Sequence, residues 1–129
     1  MNEKAQDAGK PATIILVAED EVLVRHDISE YLRSQGYAVV EANSAAEAIQ
    51  VLKDSIPVAA VFTDIRMPGT IDGLDLARYV QTHHPGVPVL ITSGHVRADD
   101  SPTDLGPIIG KPYNPADVLT AIKSKLRAD

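Results

Sequence analysis

Five polar residues close four short apolar runs in this 129-residue chain. Glu19 and Asp20 follow residues 12–18, Asp64 follows residues 58–63, Ser93 follows residues 87–92, and Lys111 follows residues 107–110. Taken singly, each has an ordinary explanation. Acids are favoured at the start of a helix, strand ends are polar anyway, a serine before a glycine is a common turn residue, and a lysine is usually solvated. Brought into one crevice, however, three carboxylates would repel and raise one another's pKa unless a cation neutralised them. A hard divalent ion with oxygen ligands is the natural occupant, and Mg²⁺ fits because it takes few carboxylates and keeps waters. Lys111 would add a point charge to the same rim, able to pair with Asp64. The apolar run before it and Pro112 after it argue against a merely solvated side chain. Ser93 precedes Gly94, which leaves room for the backbone to approach a ligand while the hydroxyl donates a hydrogen bond.

The elements that must position these residues are legible in the hydrophobic pattern. Residues 12–18 (ATIILVA) form a nearly continuous apolar, β-branched run, as expected of a strand buried on both faces. Val24, Ile28, Tyr31 and Leu32 then recur at helical spacing, with Arg25, Asp27, Glu30 and Arg33 on other faces and Gly36 as a stop. Residues 37–41 predict a second strand, and Ser44 with Glu47 predicts a capping box ahead of Ala48, Ile49 and Leu52. Residues 58–63 predict a third strand, residues 74–83 a helix after the turn at Asp72 and Gly73, and residues 87–92 a fourth strand. The polar stretch 96–105, interrupted by Pro102, predicts a short or irregular fourth helix. Residues 107–110 predict the last strand, and Asn114 with Pro115 caps a helix carrying Val118, Leu119, Ile122 and Leu126. Such alternation predicts an α/β fold with a parallel sheet and right-handed crossovers, whose sites lie at the carboxyl ends of the strands.

Composition narrows the partners. A net charge of -6 and a pI near 5.1 argue against direct binding to nucleic acid or an anionic membrane and favour protein partners and cations. With aromatics at only 4%, the core must be built from Val, Ile, Leu and Ala. There are no cysteines, hence neither a disulfide framework nor thiolate chemistry, and the apolar runs are too short to span a bilayer. Residues 1–11 are polar, lack an apolar signal core and read as a flexible tail; residues 12–129 read as one domain with no room for an attached output domain. The expected location is the cytoplasm.

Glu19-Asp20 after the first strand, Asp64-Ile65-Arg66-Met67-Pro68-Gly69 after the third, and Lys111-Pro112 after the fifth together resemble the receiver domains of bacterial two-component response regulators. The similarity extends over roughly residues 12 to 127. It implies a doubly wound, flavodoxin-like sheet of five parallel strands in the order 2-1-3-4-5, with helices on both faces. It also implies that Asp64 attacks a phosphohistidine, that Asp20 binds Mg²⁺ directly with Glu19 assisting through water, and that the backbone carbonyl of Arg66 is a further ligand. Ser93 would hydrogen-bond the phosphoryl group, with Thr92 as the alternative hydroxyl, and Lys111 would contact it, stabilising charge on its oxygens. The implied partners are a sensor histidine kinase or histidine phosphotransfer protein and a downstream protein target. The implied chemistry is that of a phospho-acceptor, not an enzyme with turnover beyond its own phosphorylation and slow dephosphorylation.

The chain departs from that pattern in places. Many receivers carry a switching aromatic three residues before the lysine, where this chain has Ile108. Tyr113 stands just beyond, as a substitute in signalling or as a ring covering the sheet edge. Ser93 and Lys111 lie closer in sequence than in typical members, and Thr70-Ile71 lengthens the loop before Asp72. His83 and His84 are adjacent, cannot form a metal pair on a helix, and read as solvated; His95 lies near the expected rim without a catalytic role. A phosphatase of the haloacid dehalogenase type would need an acid where Arg66 stands. A flavin phosphate after the first strand would be repelled by Glu19, Asp20 and Glu21. A degenerate receiver that only binds protein would not need the acids, Asp64 and Lys111 that are all present.

Overall fold

The apolar runs become five strands, and the amphipathic segments between them become helices. The structure, a computed structural model, describes residues 12–94 and 104–127. In chain order these hold β1 (Ile14–Ala18), α1 (Val22–Ser34), β2 (Ala38–Ala42), α2 (Ala45–Lys53), β3 (Val58–Asp64), α3 (Gly73–His83), β4 (Val89–Ser93), β5 (Ile108–Gly110) and α4 (Pro115–Arg127). All the pairings are parallel and the sheet order is β2-β1-β3-β4-β5. The flexible tail expected at residues 1–11, most of the weak helix expected at 96–105, and His95 lie outside the described residues.

The strict alternation of side chains along a strand gives the sheet two cores. On one face Leu16, Ala18, Val61 and Ile91 pack with Ala48 and Leu52 of α2 and Leu76, Ala77 and Val80 of α3. On the other, Ile15, Val17, Phe62 and Leu90 pack with Ile28 and Leu32 of α1 and Val118, Leu119 and Ile122 of α4. Because both faces are covered, Ile15, Leu16 and Val17 are all fully buried, which is why the first strand is apolar without interruption.

Register brings the strand ends level. Ala18 pairs with Thr63, Asp64 with Thr92, and Ser93 with Gly110, so Glu19, Asp64, Ser93 and Lys111 emerge along one edge of the sheet.

The boundaries shift where local hydrogen bonds compete with strand pairing. The Tyr37 N–H donates to Leu32 O (3.2 Å), so Tyr37 closes α1 and β2 starts at Ala38; Gly36 supplies the stop with φ +98°. The Val87 N–H donates to His84 O (2.9 Å) and belongs to a turn, while Ser93 joins β4 through its pairing with Gly110. Ser44 caps α2 by accepting from the Glu47 N–H at 3.1 Å, but the Glu47 carboxylate takes the N–H of Asn43 (2.7 Å), one residue ahead of the cap. The reciprocal capping box sits instead on α3, between Asp72 and Asp75. Asn114 caps α4 through the Ala116 N–H (2.9 Å) as expected. His83 is exposed, in keeping with a solvated residue, and one face of its ring stacks on Tyr79 at 4.3 Å. Among the described residues no helix is long and apolar enough to cross a membrane.

Candidate functional site

Asp64 ends β3 as a buried acid, 7% exposed. The backbone of Asp64 and the next residue, Ile65, is held by three bonds. The Thr63 hydroxyl donates to Asp64 O (2.9 Å), the Ile65 N–H donates to Thr92 O (3.1 Å), and the Gly73 N–H donates to Ile65 O (2.8 Å). Gly73, the first residue of α3, lies so close that a Cβ there would overlap the Asp64 carbonyl. The sequence alone marks Gly73 only as a turn glycine; its contact with a residue nine positions earlier has no local signal.

Glu19, directly after β1, is 3% exposed and has every polar group engaged. Its N–H donates to Ala42 O (3.0 Å) and its carbonyl accepts from Arg25 Nη1 (2.9 Å). One carboxylate oxygen accepts from the Glu21 N–H (3.1 Å), and the other from Lys111 Nζ (2.9 Å). The same ammonium reaches Asp64 Oδ2 at 3.0 Å and lies 4.0 Å from Glu21. Lys111 therefore bridges the acid after the first strand to the acid at the end of the third.

Asp20, by contrast, is exposed. Oxygens of Glu19, Asp20 and Asp64 lie within 4.8 Å of one another. Asp20, Glu21, Asp64, Arg66, Gly94 and Lys111 line a cleft of about 230 Å³ over this group. Three carboxylates against one ammonium leave an excess of negative charge, and their donors are all hard oxygens; that set suits a divalent cation such as Mg²⁺. Arg66 is exposed at the lip. Ser93 is buried at the end of β4, and its carbonyl accepts from the Lys111 N–H (2.9 Å). The alternative hydroxyl, Thr92 Oγ1, is buried and has no hydrogen-bond partner among the described residues.

The electrostatics follow from this packing. Burial raises the Glu19 pKa above the usual carboxylate value, against the lowering effect of its bonds from Lys111 and the Glu21 N–H. Burial alone would weaken the Lys111 charge, but the hydrogen bonds to Glu19 and Asp64 outweigh it and raise its pKa. Burial, with the nearby Glu19 charge, pushes the Tyr113 phenol up to about 12. Tyr113 meets Phe62 edge-on, with ring centroids 5.5 Å apart.

A family model described as response regulator receiver domain matches residues 15–123. The chain belongs to that family, a signalling domain of two-component systems. It is 34% identical over 129 aligned positions to the sensor kinase CckA of Brucella abortus, covering 96% of this chain and 13% of that protein. It is also 32% identical to the transcriptional regulatory protein PdtaR of Mycobacterium tuberculosis, covering 91% of this chain and 58% of that one. The chain thus spans less than two thirds of the length of either of these curated relatives. Among solved structures, a response regulator receiver protein from Sinorhizobium medicae superposes with a TM-score of 0.83 at 32% identity, covering 91% of this chain and 96% of that one. A CheY-like receiver from Methanospirillum hungatei gives 0.83 at 25% identity, covering 92% and 96%.

Proposed function

We propose that this domain accepts a phosphoryl group from a phosphohistidine onto Asp64 in a Mg²⁺-dependent step and passes the signal to a protein partner. The observation that carries the reading is the Lys111 ammonium held between Asp64 (3.0 Å) and Glu19 (2.9 Å), with Asp20 exposed beside them. An Asp64 carboxylate oxygen attacks phosphorus as the bond from phosphorus to the imidazole nitrogen breaks; the electron pair stays on that nitrogen, which takes up a proton. Mg²⁺, when bound, supplies positive charge against the phosphoryl oxygens. Asp20 and Asp64 would hold it directly, Glu19 would assist through water, and Arg66 would offer its backbone carbonyl. Lys111 leaves Asp64 for a phosphoryl oxygen, and Ser93 donates its hydroxyl to another.

The donor is a sensor histidine kinase or a histidine phosphotransfer protein, and the chain works in the cytoplasm as a phospho-acceptor without turnover of other substrates. Residues 12–129 constitute the receiver and residues 1–11 a tail. Incubation with acetyl phosphate and Mg²⁺, followed by mass spectrometry after borohydride trapping, tests this reading. Labelling should fall on Asp64 and vanish without Mg²⁺; undiminished labelling of Asp64→Asn would overturn the assignment.

A further inference from the structure

We infer that Arg25 is a positioning residue for the acidic site: it fixes the Glu19–Asp20 peptide from behind and so sets where Asp20 presents its carboxylate. The inference rests on the proposed role of Asp20 as a Mg²⁺ ligand. Arg25 lies in the first turn of α1, and two nitrogens of its planar guanidinium bind two different elements. Nη1 donates to the Glu19 carbonyl at 2.9 Å, and Nε donates to Glu41 Oε1 of β2 at 3.2 Å. Glu41 is in turn held by Arg33 Nη2 on its other oxygen at 2.9 Å. The Arg25 side chain is only 18% exposed, so water has limited access to these bonds.

The Glu19 carbonyl and the Asp20 N–H belong to one rigid peptide plane. Asp20 is exposed, and among the described residues no bond to its side chain accounts for its direction; the plane that carries it is held by Arg25 at the Glu19 carbonyl, while the Ala42 carbonyl holds the preceding peptide through the Glu19 N–H. A lysine in place of Arg25 offers a point charge and cannot serve two acceptors through a rigid fork.

Charge and position make opposite predictions here. Arg25 is a cation close to the site, so its charge alone opposes Mg²⁺ binding, and its removal would tighten the metal. Positioning predicts weakening instead, by roughly 10-fold for the loss of a partner that orients a ligand.

Mg²⁺ binding by calorimetry on the full chain tests this with three variants. Arg25→Met keeps the apolar stem and removes both bonds. Arg25→Lys restores the charge. Arg33→Met breaks the same Glu41 network without touching Glu19. The expected result is a loss of about 10-fold in Arg25→Met, partial recovery in Arg25→Lys, and affinity near wild type in Arg33→Met. Equal or tighter binding in Arg25→Met, or an equal loss in Arg33→Met, overturns the role of Arg25. If Arg25→Met does not fold, Arg25→Lys decides: both its Mg²⁺ affinity and its Asp20 amide resonance must change, and constancy of either overturns the inference. A wild-type chain that binds no Mg²⁺ would overturn the reading of the site itself, whereas wild-type binding with an indifferent Arg25→Met overturns only the inference.

Discussion

Ile108 and Tyr113 lie on opposite faces of the sheet: Ile108 packs against the core under α2 and α3, and Tyr113 against the core under α1 and α4. Tyr113 is therefore no spatial replacement for an aromatic at position 108, although the two flank Lys111 in sequence.

It follows that Ile108→Ala should leave the conformational response to beryllofluoride and Mg²⁺ intact while costing no more than about 2 kcal/mol of stability, since the side chain is only half-buried. Nuclear magnetic resonance shifts with and without the mimic check this. Loss of the response with retained beryllofluoride binding would mean that Ile108 carries the switch.

Tyr113 should ionise late, near its raised pKa of about 12 against an ordinary 10.0. The folded state keeps the phenol proton that the unfolded state loses. This contribution to stability is thus full below about pH 10 and is lost as pH rises toward 12. Absorbance titration at alkaline pH should show one late component that Tyr113→Phe removes; its persistence would assign it to another ring.

Gly73→Ala should disturb Asp64 from a distance in sequence. A Cβ there overlaps the Asp64 carbonyl, so either α3 or the end of β3 must move, at a cost of about 1–3 kcal/mol. Denaturant unfolding should register that loss, and acetyl phosphate labelling of Asp64 should slow. Wild-type stability would show that the backbone relaxes freely.

Lys111→Met should leave Glu19 and Asp64 facing each other without their shared cation. Stability at neutral pH falls, by about 1–3 kcal/mol for a partly buried group left unpaired. The deficit narrows in acid, because the Glu19 pKa is already raised and protonation relieves the repulsion. Mg²⁺ should raise the melting temperature of Lys111→Met more than that of wild type, as it replaces the missing charge. Equal metal effects in both proteins would argue against a common site.

Sequence reached much of this because strand ends and sheet register are linked. Continuous apolar runs announced buried parallel strands, and the residue ending each run had to reach the same edge, so Glu19, Asp20, Asp64, Ser93 and Lys111 were recognisable as neighbours. What escaped were contacts made from behind. The pattern places Arg25 only off the apolar face of its helix, because its partners, the Glu19 carbonyl and Glu41, are brought to it by the packing of α1 against β2. The stacking of His83 on Tyr79 escaped for a similar reason: it is set by the turn of α3, and polarity alone does not reveal it. The capping box at Asp72 and Asp75 uses an aspartate where glutamate is the usual signal.

The five residues do not rest on equally firm ground. Glu19 and Asp64 extend from β1 and β3, which have neighbours on both sides, whereas Lys111 extends from β5, a three-residue strand at the sheet edge that among the described residues pairs with β4 alone. Edge strands open at a fraction of the free energy needed to unfold the centre. The amides of Ile109 and Lys111 should accordingly exchange with solvent well before those of Leu16 and Val61. Brief openings of β5 would carry the ammonium away from two acids that stay in place, so the positive charge is the part of the site that local opening would displace first.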